Sequence, residues 1–159
     1  MVFEEISADE DEIWKIKEIL IDEWNETKYG ERPTIALITE YKGVNVRDEG
    51  DFIFIYESSF TESQVDFPYN FVDRSVVVTF DIRHYNEFPE DGRKRLNQLK
   101  NGLLDILYRK RKSLLGYNTH LVIQSRNDLS DKLNNLYRYI FLVRYTRHAI
   151  ALEENEVIS

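Results

Sequence analysis

The chain has 159 residues, of which 42% are hydrophobic and 31% charged, with a net charge of −8 and no cysteine. That length fits one domain able to bury roughly two thirds of its unfolded surface. The composition excludes disulfides, thiolate metal centres and cysteine nucleophiles, and the lack of a long uncharged apolar run excludes a membrane-spanning helix.

The opening stretch "MVFEEISADEDE" is acidic from its fourth residue and reads as carrying no secretion signal. Ser7 followed three residues later by Glu10 matches a capping box, with Asp9 and Asp11 near the positive end of the helix dipole. The predicted helix aligns Ile13, Ile16, Leu20 and Trp24 on one docking face and stops before Gly30 and Pro33. Next, "TIALITEY" (34–41) and "DFIFIYES" (51–58) are rich in β-branched and aromatic residues and predict paired strands. In "RSVVVTFDIRHY", Val76, Val78, Phe80 and Ile82 alternate with Thr79, Asp81 and Arg83, which predicts one buried face and one wet face. After Pro89 and Gly92, a second helix lines up Leu96, Leu99, Leu103, Leu107 and Leu114. Lys94, Gln98, Asn101, Asp105 and Lys112 lie roughly opposite, and Gly116 is placed to end the helix. Two more strands, "NTHLVIQSR" (118–126) and "YRYIFLVRYTRHAIA" (137–151), flank the polar "NDLSDKLNN", and 152–159 reads as a loose tail.

The order α-β-β-β-α-β-β lacks the alternation of a doubly wound parallel sheet. The fold class is therefore α+β: a single domain over 1–159 with a mainly antiparallel sheet and two helices packed on one face. The other face is left for water or a neighbour.

Little in the chain points to chemistry. His84, His120 and His148 fall on separate predicted strands and read as surface or interface residues. Asp81 and His84 are three apart, which sends them to opposite faces of a strand and makes them a poor metal pair. Glu40 and Lys42 in "TEYK" form a Glu-x-Lys pair of the kind that holds a metal and stabilises developing negative charge in magnesium-dependent nucleases. No aspartate lies on a preceding strand to complete such a site, so the nuclease is an alternative reading, testable as magnesium-dependent DNA cleavage lost on Glu40→Ala. With no Walker loop, nucleophile elbow or dinucleotide glycine pattern, the sequence predicts no catalytic residue, metal or cofactor.

Charge and aromatics are more informative. Residues 92–112 hold eight basic residues against Asp105, a local +7, which leaves −15 for the remainder. The run Arg109, Lys110, Arg111 and Lys112 lies on the last turns of a helix, where positive charge suits the dipole. It reads as a rim and not a DNA grip, and Arg109, Lys110 and Arg111 are candidate intersubunit contacts for an acidic surface such as residues 1–26 of a neighbouring copy. The stretch 58–73, "SSFTESQVDFPYNFVD", reads as a long loop; its Phe60, Phe67, Tyr69 and Phe71 either fold back over the core or reach a partner subunit.

Over roughly residues 10–150, this succession of elements resembles the tail terminator or tail completion proteins of long-tailed phages and related archaeal viruses. Residues 76–107 carry the resemblance best, as an alternating strand passing through a polar turn into a leucine-striped helix. The resemblance implies a non-enzymatic virion subunit that forms a hexameric ring, caps the tail tube, stops its polymerisation and docks the neck or connector proteins. DNA would only pass through the lumen. A host interaction module with a ferredoxin-like sheet, remaining a monomer or dimer, is the third reading.

Overall fold

The computed structural model describes residues 12–37, 50–66, 71–110 and 119–150. The first helix, α1 (Glu12–Glu23), buries Ile13, Ile16 and Leu20, and Trp24 joins them just past its end, so the predicted docking face is the buried one. The capping box at Ser7 and Glu10 lies outside the described residues. A one-turn helix that the apolar spacing does not announce, α2 (Glu26–Tyr29), follows; the Asn25 side chain caps it by accepting the Lys28 N–H at 3.1 Å. Gly30 ends it at φ 79°, where a side chain would be strained, and an added Cβ would stand 2.6 Å from the Arg95 guanidinium.

Five strands make one sheet in the order β1-β2-β3-β5-β4, formed by β1 (Thr34–Leu37), β2 (Asp51–Asp66), β3 (Phe71–Tyr85), β4 (Thr119–Asp128) and β5 (Leu136–Ile150). All neighbours pair antiparallel except β1, which runs parallel to β2 with Thr34 opposite Phe52. The class is thus α+β with a mostly antiparallel sheet.

Residues 58–66 and 71–73, expected to be loop, are strand: β2 and β3 stay paired from Ser59↔Val77 to Asp66↔Phe71, with irregularities at Ser58 and Val65 absorbing the register shifts, and 67–70 lie outside the described residues. Glu62, Ser63 and Gln64 break the apolar alternation and hide the strand from a reading by pattern. β5 reaches Ile150 and pairs with β3 down to Phe71, which supplies the ladder partner that polar residues need to be held extended.

The last helix, α3 (Pro89–Arg109), follows a tight turn in which the Asn86 side chain accepts the Phe88 N–H at 2.8 Å. Its Leu96, Leu99, Leu103, Ile106 and Leu107 are buried, whereas Lys94, Gln98 and Asn101 are exposed. Leu114 and Gly116 lie outside the described residues. Gly102 lets Trp24 lie against the helix, since a Cβ there would meet Trp24 Cη2 at 2.5 Å. The buried residues of α1 and α3 share one core with the cross-strand rows Ile53–Ile82–Tyr139, Ile55–Phe80–Phe141, Val78–Val143–Ile123 and Val76–Tyr145–Leu121.

The face away from this core was expected to be wet, and at its centre it is not. Asp81 is 1% exposed and Thr79 2%, and Phe54 and Val77 beside them are buried too. The cause is long side chains lying along the sheet: the Arg83 guanidinium sits 5.1 Å from the Phe54 ring centre, and that ring stacks on Phe52.

The sheet also outruns its helices. The 15 residues of β3 extend about 50 Å, and the 21 residues of α3, folding back from its end, cover about 31 Å. Among the described residues, 61–66, 71–75 and 146–150 therefore form a three-stranded ribbon reaching past the end of α3, with β4 alongside only at Thr146 and Arg147.

Candidate functional site

The basic end of α3 faces the end of α1. Arg109 Nη1 donates to Glu23 Oε2 at 3.0 Å, Lys110 Nζ stands 3.2 Å from Glu23 Oε1, and Arg109 Nε lies 3.8 Å from Asp105 one turn back. The hydrogen bonds from Arg109 and Lys110 hold the Glu23 carboxyl below the ordinary glutamate value. Two of the three basic residues singled out from the sequence thus already hold a carboxylate of their own chain, and Arg111 lies outside the described residues. Of the four aromatic candidates, Phe60 is on β2 and Phe71 begins β3 at the ribbon tip, while Phe67 and Tyr69 lie outside the described residues. Glu40 and Lys42 lie outside them as well.

On the helix-free face, Asp81 is gripped from two strands. Arg138 on β5 donates through Nε at 3.0 Å and Nη2 at 2.8 Å, one bond to each carboxylate oxygen, and Arg83 donates through Nε at 3.2 Å and Nη2 at 2.8 Å. Burial pushes the Asp81 carboxyl up, and the bonds from Arg138 and Arg83 more than offset it, leaving the carboxyl below its usual range. These bonds tie β3 to β5 through a carboxylate that is 1% exposed, so the cluster fixes strand register.

A second carboxylate, half-buried, ties the helices to the sheet. Asp51 opens β2 and accepts from Arg95 Nε at 2.6 Å, and its other oxygen meets His84 Nδ1 across the strand pair. The same guanidinium donates to the backbone oxygens of Tyr29 at 2.8 Å and Glu31 at 2.5 Å, so one side chain joins α3, β2 and the segment after α2. Burial raises the Asp51 carboxyl, and the bonds from His84 and Arg95 bring it below the ordinary value.

Cross-strand register separates His84 from His120 and His148, whereas His120 lies opposite Thr146, two residues from His148. His84 pairs with Tyr137, eleven residues before His148 on β5, which is roughly 36 Å of strand. Among the described residues no group of three or more histidine or carboxylate side chains is placed to hold a metal ion. Asp81 and His84 do lie on opposite faces, as their spacing requires: one is among the helix-free residues and the other reaches Asp51.

A groove of about 760 Å³ runs between the first half of α3 and the β4–β5 connection. Four cations line it, Arg93, Lys94 and Lys100 from α3 and Lys132 from the connection, against the carboxylates Glu90 and Asp128. Lys100 Nζ lies 4.2 Å from the Tyr139 ring centre, and the Ser130 N–H donates to Asp128 Oδ1 at 2.9 Å. Exposed apolar side chains flank the groove in sequence: Phe88 at 65%, Leu129 at 48% and Leu133 at 96%. The local excess of positive charge on 92–112 was legible in the sequence; its convergence with Lys132 depends on the β4–β5 connection meeting α3.

No family model matches this chain, and no curated protein matches it.

Proposed function

We propose that the chain is a non-enzymatic structural subunit of a virion, which closes with copies of itself into a ring that caps a tail tube and joins it to the neck. The ring is a hexamer in this reading, as the resemblance to tail terminator proteins implies, and DNA only passes through its lumen. The subunit assembles in the host cytoplasm. The observation that carries the proposal is the three-stranded ribbon of residues 61–66, 71–75 and 146–150, which runs past the helices and is stiffened by its own ladder. A projecting, hydrogen-bonded arm of this kind presents a shaped surface to a neighbour at little ordering cost. Segregated charge favours contacts between unlike faces, and such contacts close into rings when the rotation allows.

Mass measurement across a concentration series, with negative-stain images of the largest species, tests the proposal. Rings with a central hole are expected. A second variant isolates the ribbon: replacing residues 63–73 by Asn-Gly joins Glu62 to Arg74, which already face each other, and keeps the remaining register. That variant should fold with an unchanged far-ultraviolet spectrum and fail to form rings. A wild-type chain that stays monomeric at every concentration overturns the proposal.

A further inference from the structure

We propose that the groove between α3 and the β4–β5 connection receives the acidic segment 1–11 of a second copy of the chain. The inference rests on the assembly reading above and names one contact within it. Four cations against two carboxylates make the groove locally positive in a chain whose net charge is −8. Segment 1–11 is its complement: Glu4, Glu5, Asp9, Glu10 and Asp11 carry five negative charges with no lysine or arginine between them.

The groove suits a peptide better than a phosphodiester. Phe88, Leu129 and Leu133, the sequence neighbours of lining residues Pro89, Asp128 and Lys132, are exposed and apolar, and a nucleic-acid backbone has no use for them. In the segment, Val2, Phe3 and Ile6 are interspersed with the acids. Apolar insertion would supply most of the affinity, and the rim charges the orientation and encounter rate.

The fold makes the contact one between unlike faces. α1, onto which segment 1–11 leads, packs over β1 and β2, whereas the groove lies on the β4 and β5 side of α3. α1 and the groove thus sit on opposite flanks of α3, unlike surfaces of the kind that a head-to-tail contact joins.

Photocrosslinking on the full chain tests this. Phe3 is replaced by p-benzoylphenylalanine, isotopically heavy and light chains are mixed, and linked peptides are identified by mass. The expected products join position 3 of one copy to residues 88–100 or 129–137 of the other, in heavy–light pairs. Lys94→Glu with Lys132→Glu, two exposed positions, should lower their yield about tenfold and leave the far-ultraviolet spectrum unchanged. Links confined to one copy, links elsewhere, or an unchanged yield in the double variant overturn the inference. Rings that form without this link refute the groove contact alone; monomers without any link refute the assembly reading with it. A double-stranded oligonucleotide retarded by the wild-type chain and not by the double variant would assign the groove to nucleic acid instead.

Discussion

Replacing Asp81 by Asn removes one charge and one acceptor oxygen from a site that is 1% exposed. In the native chain the carboxylate accepts four hydrogen bonds, two from Arg83 and two from Arg138. The amide accepts on a single oxygen and turns an N–H₂ group toward guanidinium donors, so at least one bond is lost and both cations lose their counterion. Breaking a buried ion pair costs about 3–5 kcal/mol. The arginine side chains keep 16% and 27% of their surface and recover part of that from water, which places the loss at about 2–4 kcal/mol. Urea unfolding at neutral pH should then show a midpoint lowered by about 1–2 M with an unchanged slope. Acid titration supplies an independent reading. The folded carboxyl is depressed below its ordinary value of 3.8, so its contribution is present above that pH and is lost as pH falls through the folded value. Asp81→Asn should accordingly flatten the acid limb of the stability profile without abolishing it, because Asp51 is depressed in the same direction. A variant within about 0.5 kcal/mol of wild type, with the acid limb unchanged, would refute the assignment of Asp81 as a register lock.

Arg95→Ala should cost about 2–4 kcal/mol, read by the same unfolding assay, because it leaves the Asp51 carboxylate with His84 alone and takes the donor from two backbone oxygens at once. Gly102→Ala forces a methyl group against the Trp24 ring; a loss of about 1–3 kcal/mol with a change in tryptophan fluorescence is expected. Tyr145→Phe runs the other way. The Tyr145 hydroxyl is buried without a hydrogen-bond partner among the described residues, and burial holds it well above its ordinary pKa, so the phenylalanine variant should match or exceed wild-type thermal stability. Charge reversal at Arg109 and Lys110 together should disturb assembly under the proposed function, and it should also loosen α1 from α3 through Glu23; mass measurement and thermal melting separate the two effects.

The helix-packed core was readable from period alone. Ile13, Ile16 and Leu20 on α1, the leucines of α3 and the alternate residues Val76 to Ile82 on β3 all lie where 3.6- and 2-residue spacing puts them. What escaped was set by partners distant in the chain. The polar stretch 58–66 is strand because β3 lies beside it and β5 lies beyond, and neither fact is local. Burial of Asp81 follows from Arg138 arriving 57 residues later on the adjacent strand. Arg95 stands next to the leucine stripe and was counted as one charge among eight, although its position at the edge of the apolar face was a signal that it could reach the core's rim. The parallel pairing of β1 was invisible for the same reason: composition marks a strand and is silent about its direction.

The placement of β5 between β3 and β4 has a bearing on biogenesis. The strand that joins β4 to the rest of the sheet is the last one translated among those described, so a ribosome-bound chain that has already released β3, α3 and β4 still lacks their common partner. Closure must wait for late, long-range pairing, which is intrinsically slow and leaves two unsatisfied strand margins exposed in the meantime. A premature stop before Leu136 would therefore leave an aggregation-prone fragment and not a trimmed but serviceable protein.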